Sequence, residues 1–230
     1  MGEGVDWPAG HQSAFSGSAG QGFEKNSEGG LEMSRTAEIK RETKETQISC
    51  RVNLDGHGDY KITTPIGFFS HMLETLSKHS LIDIELDLKG DIEVDQHHSI
   101  EDAGLVLGDC IKEALGEMKG INRNGFCLYP MDEVLVRCAL DISGRAGIVY
   151  QGEFQHQLIG EMESTMVKEF FHAIVSRLFV TCHLEVLTPG NDHHMSEALF
   201  KAFAKSLKQA VAIDPRLEGR VPSTKGTLNT

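Results

Sequence analysis

The stretch that decides the fold is NDHHMSEALFKAFAKSLKQAVA, residues 191–212, because an earlier stretch has the same design. DQHHSIEDAGLVLGDCIKEALG, residues 95–116, also has two adjacent histidines, with a glutamate three positions after the second. In both stretches, apolar residues then recur at helical spacing. The first helix is expected over 99–116, with Gly116 ending it. Two copies of His-His-x-x-Glu, each leading into an amphipathic helix, indicate an internally duplicated chain.

The segments before the two motifs recur in the same order. A predicted helix is followed by a predicted strand in the first part of the chain, and again in the second. The helices are TPIGFFSHMLETLSKHS (64–80) and VKEFFHAIVSRLFV (167–180), and the strands are LIDIELDLKGD (81–91) and TCHLEVL (181–187). Strand-like stretches come earlier still: EIKRETKETQISCRVNL (38–54) in the first part, and GFCLYPMDE, VLVRCALDIS and AGIVYQGEF (125–133, 134–143 and 146–154) in the second.

This order predicts an α+β fold built from two half-domains, at about 41–122 and 123–226. Each half-domain is expected to form an antiparallel sheet with helices packed on one face. Residues 1–32 are rich in Gly and Ser and poor in apolar residues, so we expect a disordered tail there and a single domain over 33–230.

The composition restricts the possible partners. The net charge of −12 argues against nucleic acid or an anionic membrane surface as a partner, although a local pocket can still bind an anionic small substrate. Nothing approaches the ~20 apolar residues of a membrane span, and no secretory signal is evident. The five cysteines are scattered and form no Cys-x-x-Cys pair, which favours reduced thiols and a cytoplasmic protein.

The two motifs have the spacing of metal ligands. Residues four apart share a helix face, so His97 with Glu101 and His193 with Glu197 could each hold one ion. The second histidine of each pair points elsewhere and could reach a second ion. A single His-His pair at a helix start is more often exposed or capping, but two copies at matching places favour metal. The N/O ligand set suits Mn, Fe, Co, Ni or Zn.

Further ligand candidates are His71 and Glu169, one in each Phe-Phe-containing helix. By spacing alone, Glu169 would be read as a solvated helix charge. Three other carboxylates, Asp132, Glu133 and Asp141, are interpreted as structural because no metal partner is left for them.

Five stretches together resemble the imidazoleglycerol-phosphate dehydratase family of histidine biosynthesis. They are FFSHMLETLSKHS, GDIEVDQHHSIED, PMDEVLVRCALDISGR, NDHHMSEALFKAFAKSLKQA and VPSTKG, and the resemblance runs from about Arg41 to Gly226. The resemblance implies a hydro-lyase with a duplicated α+β fold. It also implies a homo-oligomer of octahedral symmetry with active sites between subunits, and two Mn²⁺ ions per site.

The resemblance further assigns ligands to each ion. One ion would take His71, His98, His193 and Glu197, and the other His97, Glu101, Glu169 and His194. Three positions depart from the common pattern. Glu169 stands where many relatives have His, Ser70 replaces an Asp that could orient the neighbouring ligand, and Pro65 replaces a Gly.

The reaction implied by the resemblance is dehydration of imidazole glycerol phosphate to imidazole acetol phosphate. Two Lewis-acidic ions on the ring nitrogens would favour an imidazolate, which expels the adjacent hydroxide to give a diazafulvene-like intermediate. The candidate for proton transfer is Glu45. The remaining expected substrate contacts are His79, Arg123, Arg145, Lys201, Ser223 and Lys225.

Two rival functions stay open from the residues alone. A non-catalytic metal-binding or storage oligomer would keep the His and Glu ligands without needing the basic residues. A di-metal hydrolase would be expected to carry more Asp ligands and a positioned nucleophilic water.

Overall fold

The computed structural model describes residues 23–25, 31–33 and 35–228. The two short strands β1 (Phe23–Lys25) and β2 (Leu31–Met33) pair antiparallel. The rest of the predicted tail lies outside the described residues.

Two half-domains follow whose main strands and helices come in the same order, and the second adds the short strands β10 and β11. The first contains β3 (Thr36–Glu42), β4 (Thr46–Asn53), β5 (Tyr60–Thr63), α1 (Gly67–Ser80), β6 (Asp83–Gly90) and α2 (His97–Leu115). The second contains β7 (Asn124–Met131), β8 (Val134–Asp141), β9 (Gly147–Gln151), β10 (Leu158–Ile159), β11 (Met162–Glu163), α3 (Thr165–Leu178), β12 (Thr181–Thr188) and α4 (Asp192–Val211). A short 3₁₀ helix (Pro215–Leu217) lies beyond α4.

Each half contains one four-stranded sheet, and the two sheets have the same topology. Their strand orders are β3-β4-β6-β5 and β7-β8-β12-β9. In each sheet two neighbouring pairs are antiparallel, while the last pair, β6 with β5 or β12 with β9, is parallel. A helix separates the strands of each parallel pair, as such a crossover requires. The predicted duplicated α+β fold is confirmed, with one parallel pair added to each sheet.

One predicted strand was wrong in extent. The stretch 38–54 was expected to form a single strand, but it forms a hairpin of β3 and β4. Thr43 makes the turn, because its hydroxyl oxygen accepts the backbone N–H groups of Glu45 at 3.1 Å and Thr46 at 3.0 Å. This local side-chain bond offers the backbone an alternative to continuing the strand.

The helices lie between the two sheets. Helix α2 packs on β3 and β4, α4 packs on β7 and β8, and the halves meet through α1 with α4 and α2 with α3. Close approach of α2 and α3 depends on Gly104, where a Cβ would come within 2.7 Å of the Ala173 Cβ. The buried apolar side chains of both halves form one continuous core. The helices are therefore anchored in one packed core.

The C-terminal ends of two helices also show the duplication. Helices α1 and α3 both end at a non-glycine residue with left-handed backbone, Leu81 (φ 60°) and Phe179 (φ 55°). Such conformations are uncommon outside Gly, so their recurrence at matching places supports an internal repeat. None of the described helices is long and apolar enough to cross a membrane.

Candidate metal centre and phosphate pocket

The two His-His pairs lie at the first turns of α2 and α4. Asp95 Oδ1 accepts the backbone N–H of His97 at 2.7 Å, and Asn191 Oδ1 accepts that of His193 at 2.9 Å. Each helix carrying a motif is thus held at its start by an Asx side chain two residues earlier, which satisfies an N–H that has no partner within the helix. Helix α2 begins at His97, two residues before the predicted start.

Three predicted ligands come together from the two halves. His71 of α1 lies beside His193 and Glu197 of α4, and their ligand atoms all lie within 4.8 Å of one another. The ring centroids of His71 and His193 are 6.0 Å apart, and the Phe68 ring packs edge-on against His193 at 5.2 Å. His71 and His193 are exposed, so the cluster opens to the surface of the chain.

The surroundings of Glu197 favour its charged carboxylate, the form that can bind a metal ion. Burial raises the pKa of Glu197, but the hydrogen bond from Lys201 and the positive charges around it outweigh burial and lower this pKa overall. Lys201 Nζ lies 2.6 Å from Glu197 Oε1, while Oε2 faces His193 Nε2 at 3.6 Å. One carboxylate oxygen is therefore used by lysine, and the other faces the imidazole.

This cluster fits a transition-metal ion. Ligand bonds of about 2.1 Å in octahedral geometry place neighbouring donors about 3 Å apart and opposite donors about 4.2 Å apart. The three donor atoms already lie within 4.8 Å of one another, and imidazole with carboxylate is a set that Mn²⁺ and its neighbours accept.

The first motif divides its histidines as its helical spacing predicts. His97 Nε2 lies 3.4 Å from Glu101 Oε2. His98 instead turns its Nδ1 to Asp91, 3.2 and 3.3 Å from the two carboxylate oxygens, with Glu45 Oε2 at 3.9 Å. The hydrogen bond with Asp91 raises the pKa of His98 above its usual value.

The second motif has a similar arrangement around His194. Its Nδ1 lies 3.0 Å from Glu133 Oε2, and its Nε2 lies 3.8 Å from Asp132 Oδ2. The backbone N–H of Asn191 donates to Glu133 Oε1 at 2.6 Å. This bond, with the one to His194, lowers the pKa of Glu133 to about 2. From the sequence, Asp91 had no predicted role and Glu133 was interpreted only as structural.

One chain does not bring together either complete predicted ligand set. Within the described residues, groups of three or more ligand atoms lying within 4.8 Å of one another are His71–His193–Glu197 and Asp132–Glu133–His194. His98 belongs to neither group. Glu169 is half-buried in the second turn of α3 and is also outside both groups.

Four of the predicted substrate contacts, Arg123, Arg145, Ser223 and Lys225, line one pocket of about 210 Å³. It is lined by Arg123, Ser143, Arg145, Ser223, Thr224, Lys225, Thr227 and Leu228. Asp141 accepts two hydrogen bonds from Arg123, at 2.7 and 3.0 Å, and Arg123 also donates to the Pro222 carbonyl at 3.1 Å. Arg123 thereby ties the loop at 222–225 to the end of β8. These bonds to Arg123 agree with the structural role predicted for Asp141.

Two further predicted contacts lie on the α1–α4 side. His79 packs edge-on against Tyr129 at 6.2 Å. Burial lowers the pKa of His79, and the charges of Lys201 and Lys205 lower it further. Lys201 bonds Glu197, so it stands beside the cluster of His71, His193 and Glu197 and outside the residues that line the basic pocket.

Comparisons with known proteins identify the family. A family model for imidazoleglycerol-phosphate dehydratase matches residues 64–207. The chain belongs to the imidazoleglycerol-phosphate dehydratase family. The resemblance stated from the sequence is therefore confirmed, and the chain is an enzyme of the hydro-lyase class. The matched segment contains both His-His motifs and the three clustered ligands.

Curated relatives and solved structures cover most of the chain. The imidazoleglycerol-phosphate dehydratase of Azorhizobium caulinodans is 52% identical over 194 residues, covering 84% of this chain and 98% of the relative. That of Clostridium acetobutylicum is 50% identical over 198 residues, covering 86% and 100%. The crystal structure of the dehydratase from Staphylococcus aureus matches with a TM-score of 0.71 at 32% identity, covering 78% of this chain and 99% of that chain. The structure from Pyrococcus furiosus, solved in complex with (S)-C348, also has a TM-score of 0.71, at 28% identity and covering 82% and 99%.

Proposed function

We propose that the chain dehydrates D-erythro-imidazole glycerol phosphate to imidazole acetol phosphate in histidine biosynthesis. The observation that carries this proposal is the cluster of His71, His193 and Glu197, built from both halves of a chain that belongs to the dehydratase family. A separate pocket of arginine, lysine and hydroxyl groups offers a site for the phosphate. A non-catalytic metal-binding oligomer would have no use for that pocket.

Two Mn²⁺ ions per active site are part of the proposal. The first would be held by His71, His98, His193 and Glu197, and the second by His97, Glu101, Glu169 and His194. When bound, the ions would supply Lewis acidity at the two ring nitrogens of the substrate and favour its deprotonated ring. Neither His-His motif would be sufficient alone, because each ion takes ligands from both.

The chemistry removes one molecule of water. The C–O bond on the carbon attached to the ring breaks as the ring electrons expel hydroxide, which gives a diazafulvene-like intermediate. Loss of a proton from the next carbon then gives an enol, which tautomerises to the ketone. We assign proton transfer to Glu45. Glu45 lies in the β3–β4 turn, and its exposed carboxylate stands beside His98.

The basic pocket would orient the substrate through its phosphate. Arg145 is exposed at the pocket, while Arg123 is held in place by Asp141 and anchors the loop that carries Ser223 and Lys225. Fixed cations and hydroxyl donors of this kind suit a phosphate dianion. His79 and Lys201 would contact the substrate from the side of the metal cluster.

The complete site would form between subunits. His98 lies outside the cluster that it is expected to complete, so another copy of the chain would supply it. We propose a homo-oligomer of octahedral symmetry, in which each interface joins the first motif of one chain to the second motif of another. The five free thiols suit a reducing, cytoplasmic setting, without a nucleic-acid or membrane partner.

The test is loss of imidazole glycerol phosphate by the purified oligomer with Mn²⁺, with and without a chelator. Activity that needs Mn²⁺ and vanishes in the His98→Ala variant is expected. A metal-loaded oligomer without dehydratase activity would leave the metal-storage alternative standing, and unchanged turnover in His98→Ala would exclude the two-metal mechanism.

A further inference from the structure

The duplication places two glutamates at equivalent positions. Glu45 comes immediately before β4, and Glu133 comes immediately before β8, its counterpart in the second half. Each lies in the hairpin turn beside the helix that carries the His-His motif of its own half. Each also faces the Nδ1 atom of the second histidine of that motif. Glu45 Oε2 is 3.9 Å from His98 Nδ1, and Glu133 Oε2 is 3.0 Å from His194 Nδ1.

The two glutamates nevertheless make different contacts. Glu133 is held from two directions, by the Asn191 backbone N–H on Oε1 and by His194 on Oε2. In the first half, Asp91 makes the short contacts to His98 Nδ1, and its own backbone N–H donates to the Glu45 carbonyl at 3.1 Å. The Glu45 carboxylate is left exposed and beyond hydrogen-bond distance of that imidazole.

We propose that Glu133 is a positioning residue that fixes His194 for metal binding, and that Asp91 does the same for His98. This inference rests on the proposed function. A carboxylate that accepts the Nδ1–H fixes the imidazole tautomer, so that the Nε2 lone pair points outward to the ion. The second half uses its turn glutamate for this task. The first half gives the task to Asp91, which leaves the equivalent Glu45 available for proton transfer.

The group Asp132, Glu133 and His194 could instead be a separate ion site, since its ligand atoms also lie within 4.8 Å. The contacts of Glu133 favour positioning. Both of its oxygens already face N–H donors. An ion held between Glu133 and His194 Nδ1 would have to replace the proton on that nitrogen. The replacement would break the hydrogen bond that joins the β7–β8 turn to the first turn of α4.

The test measures Mn²⁺ binding to the whole oligomer by equilibrium dialysis, with electron paramagnetic resonance of the free ion. Glu133→Gln keeps the side-chain length and an acceptor for Asn191 but removes the charge. One of two ions per chain should bind about 10- to 100-fold more weakly, the usual effect of losing such an outer-shell partner. Glu133→Asp should recover part of the affinity. Glu117→Gln, which changes an exposed carboxylate paired with Lys119, should bind both ions as the wild type does.

The equivalent positions provide a matched comparison. Asp91→Asn should weaken the other ion by a similar factor, whereas Glu45→Gln should keep both affinities and lose dehydration. Thermal midpoints of the metal-free variants, close to that of the wild type, would show that folding is intact. For a variant that melts early, Glu133→Asp supplies the folded comparison.

The outcomes separate the inference from the function it rests on. Wild-type affinity for both ions in Glu133→Gln would overturn the positioning role. A third ion in the wild type that disappears in this variant would make Glu133 a direct ligand and overturn it too. A wild type that binds two ions without dehydrating the substrate would refute the proposed reaction, while the affinity comparison would still decide the role of Glu133. A wild type that binds no Mn²⁺ would refute both.

Discussion

At the scale of single residues, two side chains of the same type can have different roles, depending on the other groups to which each is bonded. Arg123 and Arg145 both line the basic pocket, but Arg123 also donates hydrogen bonds to Asp141 and to the Pro222 carbonyl. The hydrogen bond to Asp141 raises the pKa of Arg123 above its usual value. Arg145 is exposed at the same pocket. Arg123 therefore builds the pocket, and Arg145 is the cation best placed to meet a ligand.

Because Arg145 is exposed, we expect its replacement to change substrate binding and not stability. Arg145→Gln should raise the KM for imidazole glycerol phosphate at least tenfold with little change in thermal stability, because a hydrogen bond to a charged group contributes about 1.5–3 kcal/mol. Steady-state kinetics and a thermal melt check this expectation. The control is Arg216→Gln, an exposed arginine paired with Asp214 outside the pocket, which should leave KM unchanged. An equal KM in the two variants would remove Arg145 from the phosphate site.

The sequence predicted how the residues of each motif pair better than it predicted their neighbours. The i, i+4 spacing of His97 with Glu101 and of His193 with Glu197 determines their pairing, since it depends only on helix geometry. The roles of Asp91 and Glu133 depend on where a hairpin turn meets a helix start, and single-sequence periodicity carries no such information. Glu133 and Glu45 each come immediately before a strand of their half, but Glu45 falls inside the single strand predicted over 38–54. Their equivalence, which could have revealed the role of Glu133, is therefore visible only once the β3–β4 hairpin is known.

At the scale of elements, the clearest difference between the halves is the connection before the third helix. Between β9 and α3 the chain makes the β10–β11 hairpin, which no periodicity predicted because its strands have only two residues each. This hairpin lies against the helix starts of the first half. Glu161 Oε1 accepts the backbone N–H of Phe68 at 3.0 Å, and the Gln96 amide bonds the backbone of Glu161 and of Glu163.

Glu161 therefore serves as a remote cap for α1, whose own preceding residue, Ile66, makes no side-chain cap. Its own backbone N–H, then that of Phe68, lowers the pKa of Glu161. Because the folded pKa is lowered, the stabilisation is fully present above the unfolded value of about 4.3 and is lost as pH falls through the folded pKa.

Replacing this cap should destabilise the protein in a pH-dependent way. Glu161→Ala should lower the unfolding free energy at pH 7 by about 1 kcal/mol, typical of a lost cap, which corresponds to about 2–4 °C in Tm. The difference from the wild type should shrink as the pH is lowered below about 4. Thermal melts of wild type and variant at pH 7 and below about pH 4 measure the difference in Tm, and Glu163→Ala of the same hairpin is the control. An equal Tm difference at both pH values would show that the carboxylate charge is not involved.

At the scale of the whole molecule, the single chain contains every proposed ligand but does not bring the sets together. The cluster of His71, His193 and Glu197 joins the two halves within the chain, through the contact of α1 with α4. His97 and His98 lie at the start of α2, whose main helix partner is α3. On the proposed ligand assignment, each duplicated chain would carry two half-sites, which assembly would make complete.

Mixing two inactive variants tests this arrangement directly. His98→Ala keeps the second motif intact, and His193→Ala keeps the first, so each should be inactive alone. Co-assembled at equal amounts, about a quarter of the interfaces of a closed homo-oligomer would join two intact motifs, and about a quarter of wild-type activity should return. The mixture is dissociated, reassembled with Mn²⁺ and assayed. A mixture of His98→Ala with His97→Ala is the control and should stay inactive, because every interface lacks a ligand of the first motif. No dehydratase activity in the first mixture, with oligomers of the expected mass, would place each complete active site within one chain and refute the shared site.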